Sequence, residues 1–152
     1  MRKGHPQIVL YQPEIPQNTG NIARLAAATG SRLHLIRPFG FGTSDKNLRR
    51  PGLDYWPYLD LEIHNSFSQI EKISGRMAFL SKKATKPYTE IEMDCDYLVF
   101  GRETSGLPDE LFDRYPDRFF GIPMFHSGVR SLNLANSVAI VLYDQLSKRG
   151  KF

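Results

Sequence analysis

Short runs that are apolar at every position constrain the fold of this chain more than any other feature. Ile8–Tyr11 (IVLY) is stopped by Pro13, Met77–Leu80 (MAFL) is a second such run, and Tyr97–Phe100 (YLVF) ends at Gly101. A four-residue run with no polar alternation buries both of its faces. That is the pattern of an inner strand in a parallel sheet covered by helices, not of a half-solvated antiparallel strand. Leu33–Ile36, Leu59–Ile63 and Phe119–Ile122 read as further strands.

Helical patterns fall between these runs. Over Gln17–Gly30, Ile22, Leu25, Ala26 and Thr29 share one face. Asn18 or Thr19 is placed to cap the start, and Gly30 stands where a left-handed C′ glycine belongs. Ser66 is placed to cap a helix to Ile73. Pro108–Phe112 reads as a short helix with proline in its first turn, where the missing N–H costs nothing. The loop-like, basic stretch from Pro38 to Pro57 offers Ser44 as the cap of a short helix through Leu48. Leu132–Leu146 is the strongest helix, with Leu134, Val138, Val141, Leu142 and Leu146 in one apolar stripe. Strand–helix–strand units with short connections predict a single α/β domain over residues 1–152 with a mostly parallel sheet.

Composition removes several function classes. One cysteine, Cys95, cannot form an internal disulfide or half of a cysteine-pair zinc site. The four histidines, His5, His34, His64 and His126, show no metal-ligand spacing, so no metal is expected. No apolar run approaches the roughly 20 residues of a membrane span, and no apolar segment follows the basic N-terminus as a secretory signal requires. A reduced, cytoplasmic setting is the simplest expectation. The net charge of +4 and pI near 9.3 permit a polyanionic partner without establishing one.

Ligands of open α/β sheets bind beyond the carboxyl ends of the strands, so the segments there carry the search for chemistry. After the first strand, Pro13–Arg24 joins a proline-stiffened loop to a helix start that offers N–H groups to an anion, with Arg24 expected one turn in. It matches neither a dinucleotide fingerprint nor a P-loop, and no G-x-S-x-G elbow occurs in the chain. Ser81–Lys86 carries Lys82, Lys83 and Lys86, either a phosphate patch or a solvated loop. Gly101–Pro108 is a tight glycine loop in which Arg102 beside Glu103 reads as a plain surface ion pair. Ile122–Asn136 runs into the last helix, where Ser131 and Asn133 can cap or bind. His126 has no visible partner for acid–base work.

In this order the segments are specific. N-T-G-N-I-A-R, then F-G-R-E-T-S-G-L, then I-P-M followed by S-L-N-L-A-N-S-V-A-I resemble the three motifs of the SPOUT class of RNA methyltransferases. L-R-R-P-G-L-D-Y at Leu48–Tyr55 adds to the likeness, which covers roughly Gln7 to Gly150. The chain is most similar to the small members that methylate the ribose of the wobble nucleotide, cytidine or uridine, in tRNA. The resemblance implies an α/β domain with a C-terminal deep trefoil knot, a topology no spacing argument yields. It also implies a homodimer, tRNA as substrate and S-adenosylmethionine as cofactor, with S-adenosylhomocysteine as product.

Carried over by motif position, the resemblance implies that Leu80, Gly101, Ile122, Met124, Ser131 and Leu132 hold the cofactor. Arg24 and Asn133 stand at the methyl-transfer site, and Tyr143 faces the dimer interface. Lys82, Lys83, Lys86, Arg102 and Arg130 follow strand ends and are expected to surround one cleft and hold the RNA backbone. The sequence departs from the class at Arg102, where proline is more usual, and at Ala135, where serine is. The alternatives are a related enzyme acting on another tRNA or ribosomal RNA nucleotide, and a non-catalytic RNA-binding module.

Overall fold

A computed structural model describes residues 4–42, 46 and 54–152. Apart from Lys46, the expected helix from Ser44 to Leu48 and most of the Leu48–Tyr55 segment lie outside the described residues. The elements in chain order are β1 (Gln7–Tyr11), α1 (Pro16–Thr29), β2 (Leu33–Ile36), β3 (Leu61–His64), α2 (Ser68–Glu71), β4 (Met77–Leu80), β5 (Tyr97–Phe100), α3 (Asp109–Arg114), β6 (Phe119–Phe120) and α4 (Leu134–Lys148).

The six strands form one sheet in the order β3-β2-β1-β5-β4-β6, and every neighbouring pair is parallel. The apolar runs supply its centre. Ile8, Leu10, Leu33, Leu35, Ala78, Leu80, Leu98 and Phe100 face one side, where Ile22, Ala23 and Ala26 of α1 meet Val138, Val141 and Leu142 of α4. Val9, Ile36, Phe79, Tyr97, Val99 and Phe119 face the other side, under Phe67, Ile70 and Leu111. Both faces are covered, as a parallel sheet requires.

The helix caps depart from expectation in an informative way. Asn18 and Thr19 do not cap α1; they lie inside it and are buried. The helix starts at Pro16 after Ile15 with no side-chain cap, and a carboxylate from another loop, Glu103, binds the two N–H groups just ahead of it. Ser66 does not cap α2 either; its hydroxyl pairs with that of Ser68, 2.7 Å away. At the other end of α1, Gly30 adopts φ +72° and its N–H returns to the carbonyls of Ala26 and Ala27, as its position predicts. Asn133 caps α4 by accepting from the Asn136 N–H at 3.2 Å.

The chain runs from β1 outward through β2 to β3, then returns to build β4, β5 and β6 on the other side of β1. Strand order therefore reverses between β1 and β5, and a crevice opens beyond their carboxyl ends.

Candidate active site

Three strand-end loops and the start of α4 enclose a cleft of about 350 Å³, within the range of small-molecule sites. Gly101 ends β5 at a point where the loop turns back on itself. Arg102 and Gly106 exchange backbone hydrogen bonds at 3.2 and 3.0 Å, and Gly106 takes φ +68°. A Cβ on Gly101 would lie 2.4 Å from the Gly106 carbonyl carbon and 2.5 Å from the Leu107 nitrogen, so only glycine fits.

Carboxylates exchanged between two loops hold the cleft together. Glu103 accepts from the backbone N–H groups of Glu14 and Ile15 at 2.9 and 2.8 Å and from the Asn18 side chain at 3.3 Å. Glu14 in turn accepts from the Thr104 N–H at 2.9 Å and from its hydroxyl at 2.8 Å. The Thr104 N–H holds the Glu14 carboxyl below the usual carboxylate range. Asn18 Oδ1 then accepts from Asn133 Nδ2 at 3.1 Å. One chain of bonds, Glu103–Asn18–Asn133–Asn136, thus ties the loop after β5 to α1 and to the start of α4.

Leu80, Gly101, Ile122, Met124, Ser131, Leu132 and Asn133 all line the cleft. Phe100, Leu107 and Phe112 add apolar wall, while Ser105, Ser131 and Ser137 add polar residues to the lining. Such a lining suits a flat heterocycle with a polar tail. Lys82 and Lys83 stand exposed at the rim.

Four expected residues are placed differently. Arg24 is the ninth residue of α1, not one turn in; it is exposed and outside the cleft lining. Arg102 lines the wall, but its guanidinium donates to Gln12 Oε1 at 2.7 Å and lies over the Tyr11 ring, so it makes no pair with Glu103. Lys86 turns away: its ammonium donates to the Asp117 carbonyl at 2.6 Å and sits 4.7 Å from the Phe120 ring centroid. Arg130 is exposed on the segment before α4, outside the lining. The bonding roles of Asn18, Glu14 and Glu103 are what the sequence does not show. Their partners stand 85 to 115 positions away, so no local pattern marks them.

The fold and the cleft define an α/β protein that binds a small, partly apolar ligand beyond the carboxyl ends of a parallel sheet. The chain belongs to the SpoU methylase family: the model of the SpoU rRNA Methylase family matches residues 5–143. A relative from Bacillus subtilis (strain 168) is 49% identical over 148 residues, covering 93% of this chain and 92% of that protein. The tRNA (cytidine(34)-2'-O)-methyltransferase of Methylovorus glucosotrophus is 47% identical over 141 residues, covering 90% and 91%. A solved structure concerned with 2-OH methylation of C/U34 on tRNA superposes with a TM-score of 0.90 at 44% identity, covering 98% of this chain and 99% of that one.

Proposed function

We propose that this chain is a tRNA methyltransferase that transfers a methyl group from S-adenosylmethionine to the ribose 2′-hydroxyl of the wobble nucleotide, position 34. Near-full-length identity to a tRNA (cytidine(34)-2'-O)-methyltransferase carries the reading. The cleft, lined by all six expected cofactor residues and Asn133, supports it. The cofactor supplies a methyl on a sulfonium, an excellent leaving group, so the protein's work is alignment and exclusion of water. Gly101 lets the donor lie against main chain, Leu80, Ile122 and Met124 form the apolar floor, and Ser131 and Leu132 close the opening. The 2′-hydroxyl loses its proton as the new bond forms. A guanidinium offers hydrogen-bond donors and no acceptor, so the part of Arg24 is to hold the target phosphate or the developing alkoxide, with the proton passing to phosphate or water.

We read the whole chain as one SPOUT domain with a C-terminal trefoil knot. The segment 86–91 supports this: Gly121 pairs with Pro87, while Gln145 and Lys148 of α4 bond the Ile91 carbonyl. The chain after β6 therefore meets that segment twice, first beside β6 and again from α4. A homodimer is part of the same reading. Arg24 lies outside the cleft of its own chain, and α4 exposes Ile140 and Tyr143. No described helix is long and apolar enough to cross a membrane, which accords with work on cytoplasmic tRNA.

The test is mass-spectrometric mapping of 2′-O-methyl groups in tRNA from cells lacking the protein, with purified protein, tRNA and S-adenosylmethionine as the complement. Loss of the methyl at position 34, restored by the protein, is the expected result. Restoration elsewhere would move the target but keep the family. Lys82→Ala and Lys83→Ala should each weaken tRNA binding and reduce its log–log salt slope by about 1.

A further inference from the structure

Far from the cleft, the sheet carries a polar row that the methyl-transfer reading leaves unused. It crosses β5, β1, β2 and β3 on the face opposite α1 and α4, through Tyr97, Gln7, His34, Glu62 and His64. Register places it there: Gln7 pairs with Tyr97, His34 pairs with Glu62, and His64 lies two residues beyond Glu62 on the same face. His34 Nδ1 lies 2.9 Å from His64 Nε2, and Glu62 Oε2 lies 3.5 and 3.6 Å from those two nitrogens. None of the three residues lines the cleft.

We propose that His34 Nδ1, His64 Nε2 and a Glu62 carboxylate oxygen form a zinc site, with water in the fourth position. Three donors around a tetrahedral zinc, each about 2.0–2.1 Å from the metal, stand about 3.3 Å apart. The observed triangle of 2.9, 3.5 and 3.6 Å brackets that separation, so zinc enters with shifts of a few tenths of an ångström. Two imidazoles and a carboxylate suit zinc, and an open fourth position is a known arrangement for that set.

The surroundings are organised as a metal site needs. His34 is 1% exposed, and its Nε2 donates to Gln7 Oε1 at 2.7 Å. Tyr97 is the register partner of Gln7 on the neighbouring strand. Nε2 of His34 thus carries the hydrogen, and the lone pair of Nδ1 points into the triangle. Arg32 holds the other Glu62 oxygen at 3.2 Å, which leaves Oε2 turned toward the histidines. Without metal, His64 satisfies Nδ1 by donating to it. With metal, His64 moves its proton to the other ring nitrogen, which needs no change of fold. His64 and Glu62 are the more open partners, with side chains 12% and 41% exposed, and they give zinc its way in.

The experiment uses the full chain, stripped with a chelator and titrated with zinc ion alone. One zinc per chain should survive desalting, and the ring resonances of His34 and His64 should shift while those of His5 and His126 do not. His64→Gln and Glu62→Gln should each weaken zinc binding roughly tenfold or more, with S-adenosylmethionine affinity unchanged. His126→Gln should bind zinc as the wild type does. Failure of the wild-type chain to retain zinc, or equal retention by His64→Gln and Glu62→Gln, would overturn the proposal. If neither variant folds, the wild-type resonances decide: an unmoved His34 ring rejects the site.

Discussion

Single residues here are constrained by what surrounds them, and Gly101 shows it most plainly. Any side chain at this position meets backbone on the opposite limb of the loop, and backbone cannot swing aside as a flexible side chain can. Gly101→Ala should cost about 3 kcal/mol and, by opening the loop, remove cofactor binding; a thermal melt and calorimetry with S-adenosylmethionine would measure both. Cys95 is a buried thiol of another kind. It has no exposed surface, sits against the carbonyls of Arg76 and Tyr97, and burial pushes it up to about 11 from an ordinary value near 9. A thiol harder to ionise in the folded state contributes its full stabilisation below the unfolded pKa and loses it as pH rises through the folded one. Stability should therefore fall by about 2 kcal/mol between about pH 9 and 11 on account of this group. Melts of the wild type and Cys95→Ala across that window would show it as a slope that the variant lacks.

At the scale of elements, the start of α1 is held from outside itself. Its first turn has no side-chain cap, and the N–H groups before it are taken by Glu103 from the loop after β5. Bonds from backbone N–H groups to a carboxylate are the stronger kind. Glu103→Ala should destabilise the chain by about 1–3 kcal/mol and loosen the cleft, measured as weaker S-adenosylmethionine affinity. Combined with Asn133→Ala, the losses should fail to add by at least about 0.5 kcal/mol, because Asn18 transmits between the two. Additive losses would mean that the chain of amides carries no energy. The same bonds explain what the sequence made legible. The boundaries of β2, β4 and β5 follow from local apolar runs, and Gly30 follows from local backbone geometry. The entry to α1 is held by a carboxylate 88 positions from Ile15, which no local pattern marks, so the polar residues near the helix start, Asn18 and Thr19, read as caps although both lie inside the helix. His34 and His64 are 30 positions apart and show no ligand spacing in the sequence, because only strand register joins them. The cleft-lining residues are legible only through family resemblance; spacing alone marks the loops without saying what they hold.

At the scale of the whole molecule, the position of Arg24 sets the question. If it acts on a cleft other than that of its own chain, the active site exists only between two copies. The outer layer built by α1 and α4 offers the means, since these helices pack together and α4 exposes Ile140 and Tyr143. Closed twofold pairing would place one chain's α1 near its partner's cleft in both directions at once. The two arrangements separate in mixed dimers. Take one chain with Arg24→Ala, whose cleft is intact, and one with Leu132→Glu, whose cleft is blocked but whose Arg24 remains. If Arg24 works across the interface, the mixed dimer keeps one complete site. Equal co-expression of the two should then give about a quarter of wild-type methylation, although each variant alone is inactive. If Arg24 serves its own chain, no dimer in the mixture holds a complete site and activity stays absent. Incorporation of labelled methyl into tRNA measures the difference, and size-exclusion of each variant confirms that the dimers compared are intact.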